Sequence, residues 1–319
     1  MAECSIIIVS FNGLHDSTIP CLESIVSSTG NEDYEIVVVD NNSSDGTPAY
    51  LKELATHELR LKLVLNSSNR GFAGGNNDGI RAASGNYFVL LNNDTQVTDG
   101  WLTKLRESLQ NDHTIGLIGP VSNSVGNEQK IYTEGATPAE IIEEGLAWTR
   151  QSCGDGFATE RLGFFCVAFR RDILNNVGLL DEAYDLGFYE DDDYCIRVRL
   201  TGLVLTCRED VFIYHRGSAS FDKVPCRTRE LLKRNRRLLE KKFNTRYNPR
   251  HPRERQLDLV ASYVQSDVTA RDKKALYFKI NNRLQVINEL MPRGFLKRWR
   301  FNRRLNKVLY KLTTPPEGA

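Results

Sequence analysis

The chain has 319 residues, 40% hydrophobic and 26% charged, which is enough apolar material for one large or two smaller packed domains and rules out a disordered or collagen-like chain. Its longest apolar runs, at 6–9, 36–39 and 87–91, fall far short of the roughly 18–20 residues that span a bilayer, and Met1-Ala2-Glu3-Cys4 offers no basic leader, so a cytosolic protein is expected. The net charge of +1 hides an asymmetry: residues 223–319 carry 26 Lys and Arg against 8 Asp and Glu, or +18, and residues 1–222 carry −17, a first sign of two modules.

Short β-branched runs alternate with helical patterns along the first hundred residues. The spacing predicts strands at 5–9, 35–40, 61–65 and 87–91, with helices at 16–28, 48–57 and 72–83 between them, the alternation of βαβ units on a parallel sheet. Thr47 is placed to cap the 48–57 helix and Pro48 suits its first turn. Between about residues 100 and 222 the pattern loosens into turn-rich stretches, a loop at 152–159 and a strand at 164–169. Helical periodicity returns at 228–243, 254–264 and 273–290, and in a last stretch after Pro292. Seven cysteines (Cys4, Cys21, Cys153, Cys166, Cys195, Cys207 and Cys226) are scattered with no Cys-x-x-Cys pair, so reduced, mostly buried thiols are expected. No internal repeat is evident.

In open α/β sheets ligands collect at the carboxyl ends of the strands, and here those ends are polar: Ser10-Phe11-Asn12, Asp40-Asn41-Asn42, Asn66-Ser67-Ser68 and Asn92-Asn93-Asp94. Asp40 closes a buried strand, where a carboxylate can accept from a nucleobase imide N–H or a ribose hydroxyl. A turn-forming role explains Asp45-Gly46 better than it explains Asp40. The glycine-rich run 69–77 joins a strand to a helix, a place whose free backbone N–H groups favour phosphate. It lacks the Gly-Lys-Ser/Thr of a P-loop, and no G-x-G-x-x-G follows the first strand, which removes the usual support for a kinase or dehydrogenase. Glu190-Asp191-Asp192-Asp193 opens a helical pattern. A helix dipole favours acids there, but crowded carboxylates also raise one another's pKa and equip one to take a proton near neutral pH.

The runs Ser-Ile-Ile-Ile-Val-Ser-Phe-Asn, Ile-Val-Val-Val-Asp-Asn-Asn-Ser-Ser-Asp-Gly-Thr, Asn-Arg-Gly-Phe-Ala-Gly-Gly-Asn-Asn and Leu-Leu-Asn-Asn-Asp-Thr resemble the inverting family 2 glycosyltransferases of the GT-A fold over roughly residues 4–220, with rhamnosyltransferase-like enzymes of O-antigen and surface-polysaccharide synthesis as the nearest look. The fold this implies is α/β, a mostly parallel sheet forming a catalytic domain at 1–222, its donor half at about 1–100 and its acceptor half at about 101–222, followed by a basic helical module at 223–319. The resemblance further implies that Asp40 reads the uracil or thymine of a UDP- or dTDP-sugar, that Ser10 and Asn12 line the same pocket, and that Arg70, Asn77, Asn92 and Asn93 contact the donor. Asp94, with His215 after a late strand, would hold Mg2+ or Mn2+, although Asn92 departs from the acidic first position of the family's Asp-x-Asp motif. Asp191 would be the base and Glu190 would orient it or the acceptor, a glycan or lipid-linked glycan, while Asp193 would support or cap. The segment 163–171 resembles the wall of the donor sugar and acceptor.

The carboxyl-terminal module carries an apolar stripe at Leu276, Ile280, Leu284, Ile287 and Met291, ready to pack. Beyond it Arg293, Lys297, Arg298, Arg300, Arg303, Arg304, Lys307 and Lys311 interleave with Phe295, Leu296, Trp299, Phe301, Leu305, Val308, Leu309 and Leu312. Residues 293–312 therefore fit a helix lying on an anionic membrane surface, which would put a cytoplasmic enzyme on the inner face of the cell membrane; packing on the acidic domain or another subunit fits as well. No nucleic-acid recognition motif accompanies the charge, so no nucleic acid is expected. Two rivals remain: a non-catalytic nucleotide-sugar or glycan-binding module, and a sugar nucleotidyltransferase, whose Gly-rich basic loop Ser10-Phe11-Asn12-Gly13 does not supply.

Overall fold

A computed structural model describes residues 2–217, 225–265 and 273–313. Ten strands and eleven α-helices are described, in the order β1 (Cys4–Ser10), α1 (Ile19–Ser28), β2 (Tyr34–Asp40), α2 (Thr47–His57), β3 (Leu61–Leu65), α3 (Gly71–Ala82), β4 (Tyr87–Asn92), β5 (Thr95–Gln96), α4 (Trp101–Asn111), β6 (Ile115–Val121), α5 (Pro138–Arg150), β7 (Gly156–Thr159), β8 (Cys166–Arg170), α6 (Arg171–Val177), α7 (Glu190–Leu200), β9 (Val204–Phe212), β10 (Tyr214–His215), α8 (Pro225–Lys242), α9 (Pro252–Gln265), α10 (Lys273–Glu289) and α11 (Phe295–Thr313).

Eight strands form one sheet in the order β3-β2-β1-β4-β8-β6-β9-β7, with β1 to β4 parallel, β8 antiparallel to both β4 and β6, and β9 parallel to β6. β1 and β2 read as unbroken Ile and Val runs because helices cover both faces of the sheet. One face packs Leu22 and Ile25 of α1, Leu51 of α2 and Leu105 of α4; the other packs Ile80 of α3, Trp148 of α5 and Tyr194 of α7. α3 is poor in helix formers, yet its Gly75 and Gly79 let it lie against Val9, Ile7 and Val39 with no room for a methyl group. The strand directions bring the carboxyl ends of β1, β2, β4, β6 and β9 to one edge, where β10 pairs with β5.

Three local expectations change. Gly46, not Thr47, precedes α2 as its cap, and the Asp45 carboxylate accepts from the Thr47 N–H at 2.9 Å. Residues 156–159 of the expected loop form β7, which completes the sheet edge beside β9. The first helix opens with a π-helical turn, Leu14–Thr18, a form that recurs at functional sites. Among the cysteines, Cys4, Cys21, Cys166, Cys195 and Cys207 are buried free thiols and Cys153 is exposed.

The carboxyl-terminal helices hold a small core of their own, in which Ile280, Ile287, Leu276, Leu284 and Met291 meet Leu257, Val260, Phe301 and Leu305. This unit joins the sheet through buried polar contacts. Arg283, 0% exposed, donates to Glu209 at 2.7 Å and to the carbonyls of Glu128 and Lys130 at 2.7 and 2.9 Å. Lys279 lies 2.6 Å from Glu209 and 2.7 Å from Asp155. The boundary at 222/223 and the side chains of Cys226, Lys311 and Leu312 lie outside the described residues.

Candidate active site

The ends of β1 and β2 grip one another. Asn12, in the left-handed region at φ 59°, donates its backbone N–H to Ser43 Oγ at 2.9 Å and accepts from the Ser44 N–H at 2.8 Å. Ser10 Oγ is 2.8 Å from Thr18 Oγ1, which also accepts from Asn93 at 3.1 Å, so the π-helical turn ties β1 to the end of β4. Asp40 is buried beside this junction. Its Oδ2 accepts from the Ser43 N–H at 3.2 Å, whereas its Oδ1 is buried with no partner among the described residues. A buried carboxylate oxygen without a donor is costly, and an N–H or O–H donor supplied by a ligand would satisfy it.

Asn41, noticed in the sequence only as part of a polar strand end, organises the next loop. Its side chain donates to Asn69 Oδ1 and the Gly71 carbonyl at 3.0 and 3.1 Å and accepts from Asn66 and the Arg70 N–H at 3.1 and 3.0 Å. Arg70 is half-exposed and held by two carboxylates, Asp78 at 2.8 Å and Glu182 at 2.7 Å, so its charge is already offset. Asn77, expected at the donor, is buried and spends its amide on Leu180, exchanging both hydrogen bonds at 2.9 and 3.0 Å, and on Glu182 at 2.8 Å. These contacts tie α3 to the chain ahead of the acidic run.

Across the edge, Asp94 Oδ1 and His215 Nε2 converge to 3.3 Å. The imidazole is fixed by Phe165, stacked at 5.2 Å, and by the Ser124 carbonyl, 2.6 Å from Nδ1. Burial alone would lower the His215 pKa, but Asp94 and the Ser124 carbonyl outweigh it and raise it. A carboxylate and an imidazole with an outer carbonyl partner are a fitting donor pair for a divalent ion. No group of three or more His, Cys, Asp or Glu is placed to hold a metal among the described residues, so the remaining positions of such an ion would fall to phosphate and water. Asn92 turns its backbone to structure, donating to the Phe165 carbonyl at 2.8 Å and accepting from Thr95 at 2.7 Å, and leaves its half-buried amide unassigned.

The four acids at the start of α7 separate sharply. Asp193, 0% exposed, is paired with Arg197 at 2.7 Å and Lys242 at 2.6 Å and accepts from Tyr184, so it is structural. Asp192 is hydrogen-bonded by Tyr247 and lies 4.0 Å from Arg161. Glu190 and Asp191 have no ion-pair partner within reach among the described residues, and Glu190 Oε2 is buried without a hydrogen bond. Burial, followed by the neighbouring Asp191 charge, pushes the Glu190 carboxyl well above its usual range. Burial and then the Asp192 charge push Asp191 up to about 7. These are the two residues the sequence singled out, and neither is in an ion pair among the described residues, although the Arg161 charge reaches Asp191.

A protein-family model described as "Glycosyl transferase family 2" matches residues 5–178, more than half of the chain. The chain belongs to this family. Similar proteins include the GalNAc(5)-diNAcBac-PP-undecaprenol beta-1,3-glucosyltransferase of Campylobacter jejuni, 28% identical over 58% of this chain and 57% of that protein. The Escherichia coli UDP-Glc:alpha-D-GlcNAc-diphosphoundecaprenol beta-1,3-glucosyltransferase WfgD is 27% identical over 60% of this chain and 66% of its own, and the matched segments of the first relatives span about half their length or less. Among solved structures, the mannosyltransferase PcManGT from Pyrobaculum calidifontis, in complex with GDP-Man and Mn2+, superposes with a TM-score of 0.52 at 16% identity over 99% of this chain and 88% of its own. GalNAc-T7 with UDP, GalNAc and Mn2+ gives 0.58 at 16% identity over 88% and 55%. The fold is thus the GT-A fold expected for the family. The family match stops before α7, and the sequence reading passed over Thr18, Asn41, Arg161 and Tyr247, whose roles arise only from contacts between distant segments.

Proposed function

We propose that this chain is a metal-dependent, inverting glycosyltransferase that moves a sugar from a UDP- or dTDP-sugar to an acceptor hydroxyl of a growing surface glycan on a lipid carrier. The observation that carries the reading is the acidic run, in which Asp192 and Asp193 are occupied by Tyr247 and cations while Asp191, pushed up to about 7, is left to take a proton. In this reading the acceptor oxygen attacks the anomeric carbon from the face opposite the nucleotide, its proton passes to Asp191, and the bond to the diphosphate oxygen breaks with its electron pair on that oxygen. One displacement inverts the anomeric centre and needs no covalent enzyme intermediate. Glu190, whose carboxyl burial and the Asp191 charge push well above its usual range, is suited to orient the acceptor or the base.

Asp40 would take the imide N–H of uracil or thymine on its unpartnered oxygen, with Ser10 and Asn12 shaping the pocket and Asn92 and Asn93 near the donor. A Mg2+ or Mn2+ ion held by Asp94 and His215 would offset the charge developing on the departing diphosphate. The Mn2+ in two structural neighbours and the undecaprenol-linked substrates in two relatives' names support the metal and the lipid-linked acceptor. Docking on an anionic membrane surface through α11 follows from the same reading: Phe295, Leu296 and Trp299 are 80%, 67% and 49% exposed beside Arg293, Lys297, Arg298 and Arg300, while Phe301 and Leu305 pack inward against α9. No helix among the described residues is long and apolar enough to cross a membrane.

The test is a thermal-shift and calorimetric screen of UDP, dTDP, GDP, CMP and their common sugars, each with and without Mg2+ or Mn2+, followed by turnover assays on the donors that bind. Metal-dependent stabilisation by a uridine or thymidine nucleotide, with turnover, is expected. Failure of every donor in folded protein overturns the reading, and binding without turnover makes the chain a nucleotide-sugar-binding module.

A further inference from the structure

The acids of α7 are reached by a loop, 185–189, whose backbone is unusual. Asp185, Phe188 and Tyr189 all adopt positive φ, at 63°, 72° and 74°, a conformation that bulky side chains keep only when their surroundings enforce it. The enforcing contacts come largely from one place. Asn235, fully buried on α8, directs its side-chain N–H groups at the carbonyls of Tyr184, Gly187 and Phe188, at 2.7, 2.8 and 3.1 Å. Lys242, at the end of the same helix, lies 2.6 Å from Asp193 and 2.6 Å from Asp181, bracketing the loop at both sides.

The turn after α8 then delivers Tyr247 to the acidic run. Its hydroxyl is hydrogen-bonded with Asp192 and Arg161, and its ring stands edge-on to Tyr189 at 5.7 Å. The turn itself is fastened to α8, since the Tyr247 N–H donates to Glu240 at 3.0 Å and its carbonyl accepts from Arg236 at 2.7 Å. Of these residues only Arg161 lies within the segment that the family model matches.

We propose that α8 and the turn after it form the positioning element of the catalytic carboxylates, with Asn235, Lys242 and Tyr247 as its positioning residues. The proposal rests on the transferase reading for the word catalytic, and on the contacts alone for the positioning. Its physical content is that Asp191 sits at the first turn of a helix whose start is set by a strained loop, and a general base displaced by about 1 Å loses on the order of a hundredfold in rate. The basic segment therefore serves the chemistry directly, in addition to any surface it presents. The charged and titratable groups that face the cluster are Arg161 ahead of β8, Arg197 on α7, Lys242 on α8, Tyr184 and Tyr247.

The experiment uses the full chain and the single variants Tyr247→Phe, Lys242→Met and Lys242→Arg. Hydrogen–deuterium exchange over 181–193, thermal midpoints, and kcat and KM with the donor found in the nucleotide screen are measured for each. Expected for Tyr247→Phe is faster exchange confined to 185–193, a kcat lowered about tenfold and a donor KM within about twofold of the parent, the size of one lost hydrogen bond to a charged group. Lys242→Met should behave likewise and Lys242→Arg should recover most of the rate. Unchanged exchange in Tyr247→Phe and Lys242→Met, or faster exchange spread over the whole chain with a matching fall in thermal midpoint, overturns the proposal. A parent chain that turns over no donor overturns the transferase reading instead, and exchange over 185–193 still decides the positioning.

Discussion

The backbone carbonyl of Asp185 lies where a side chain at Gly71 would have to go, so the start of α3 and the loop before α7 meet backbone to backbone. The Phe72 N–H adds a 3.4 Å bond to the Leu186 carbonyl. Gly71 also sits at φ 69°, so Gly71→Ala combines left-handed strain with a collision and is expected to destabilise by about 2–4 kcal/mol in urea unfolding. Gly30→Ala isolates the first effect, since Gly30 has φ 65° and open space around it, and should cost only about 1 kcal/mol. Equal losses at the two positions would remove the contact with Asp185 as the cause.

Asp191→Asn should abolish turnover, by about a thousandfold or more, while leaving nucleotide affinity intact in calorimetry. Lost donor affinity would contradict its role as base. In the parent chain kcat should rise with pH along a limb near 7, because burial and Asp192 push the Asp191 carboxyl up to about 7 and only the ionised form accepts a proton. The same displacement has a sign for stability. The folded state holds the proton more tightly than the unfolded chain, so this group's contribution falls as pH rises from the ordinary carboxylate range towards 7. Asp191→Asn is therefore expected to stabilise the fold at pH 8 by on the order of 1–3 kcal/mol, read from denaturant midpoints.

Much of this was legible before any coordinates because local chemistry dictates it. Ile6-Ile7-Ile8-Val9 and Ile36-Val37-Val38-Val39 can only be strands buried on both faces, and the polar residues that end them had to gather at one edge. Asp94 and His215 were legible as types, and it took the pairing of β5 with β10 to bring them together. The partners of Asn77, Leu180 and Glu182, were not legible, because sequence spacing does not reveal contacts between distant segments. Tyr247 was invisible in the same way, lying in what reads as a break between two helices.

Asp40→Ala should weaken UDP or dTDP binding about 10- to 100-fold, the usual range for one buried hydrogen bond to a charged acceptor. Its Oδ2 is already used by the Ser43 N–H, so the variant also loosens that turn, and denaturant unfolding reads that loss separately from nucleotide affinity. Unchanged affinity in Asp40→Ala, measured calorimetrically, would remove this residue from the nucleotide pocket.

Arg283→Met should destabilise by about 3–5 kcal/mol in denaturant unfolding, because it strands the buried Glu209 carboxylate that Arg283 and Lys279 share. Burial pushes the Glu209 carboxyl up, but the two cations outweigh it and hold it below its usual range. Its contribution is therefore full above the ordinary glutamate range and lost as pH falls through the lower folded value. The parent chain should lose stability steeply in that acid window, and the variant should lose less there. A variant that unfolds at the parent's midpoint would show that the Arg283–Glu209 pair adds nothing to the hold on the carboxyl-terminal helices.

Replacing Phe295, Leu296 and Trp299 together by Ser tests the membrane face. These side chains stand in solvent at the start of α11 and carry none of the packing that Phe301 and Leu305 provide, so the fold should keep its thermal midpoint. Sedimentation with phosphatidylglycerol vesicles should show the parent bound at low salt, released as salt rises, and weakly bound to phosphatidylcholine, since each cation near an anionic surface contributes about 1 kcal/mol and is screened within a Debye length. The triple variant should bind about tenfold or more weakly, because the cations remain while the apolar insertion is lost. A parent chain that ignores anionic vesicles, or a variant that binds them as well as the parent, would turn the basic helix into a contact with another protein surface.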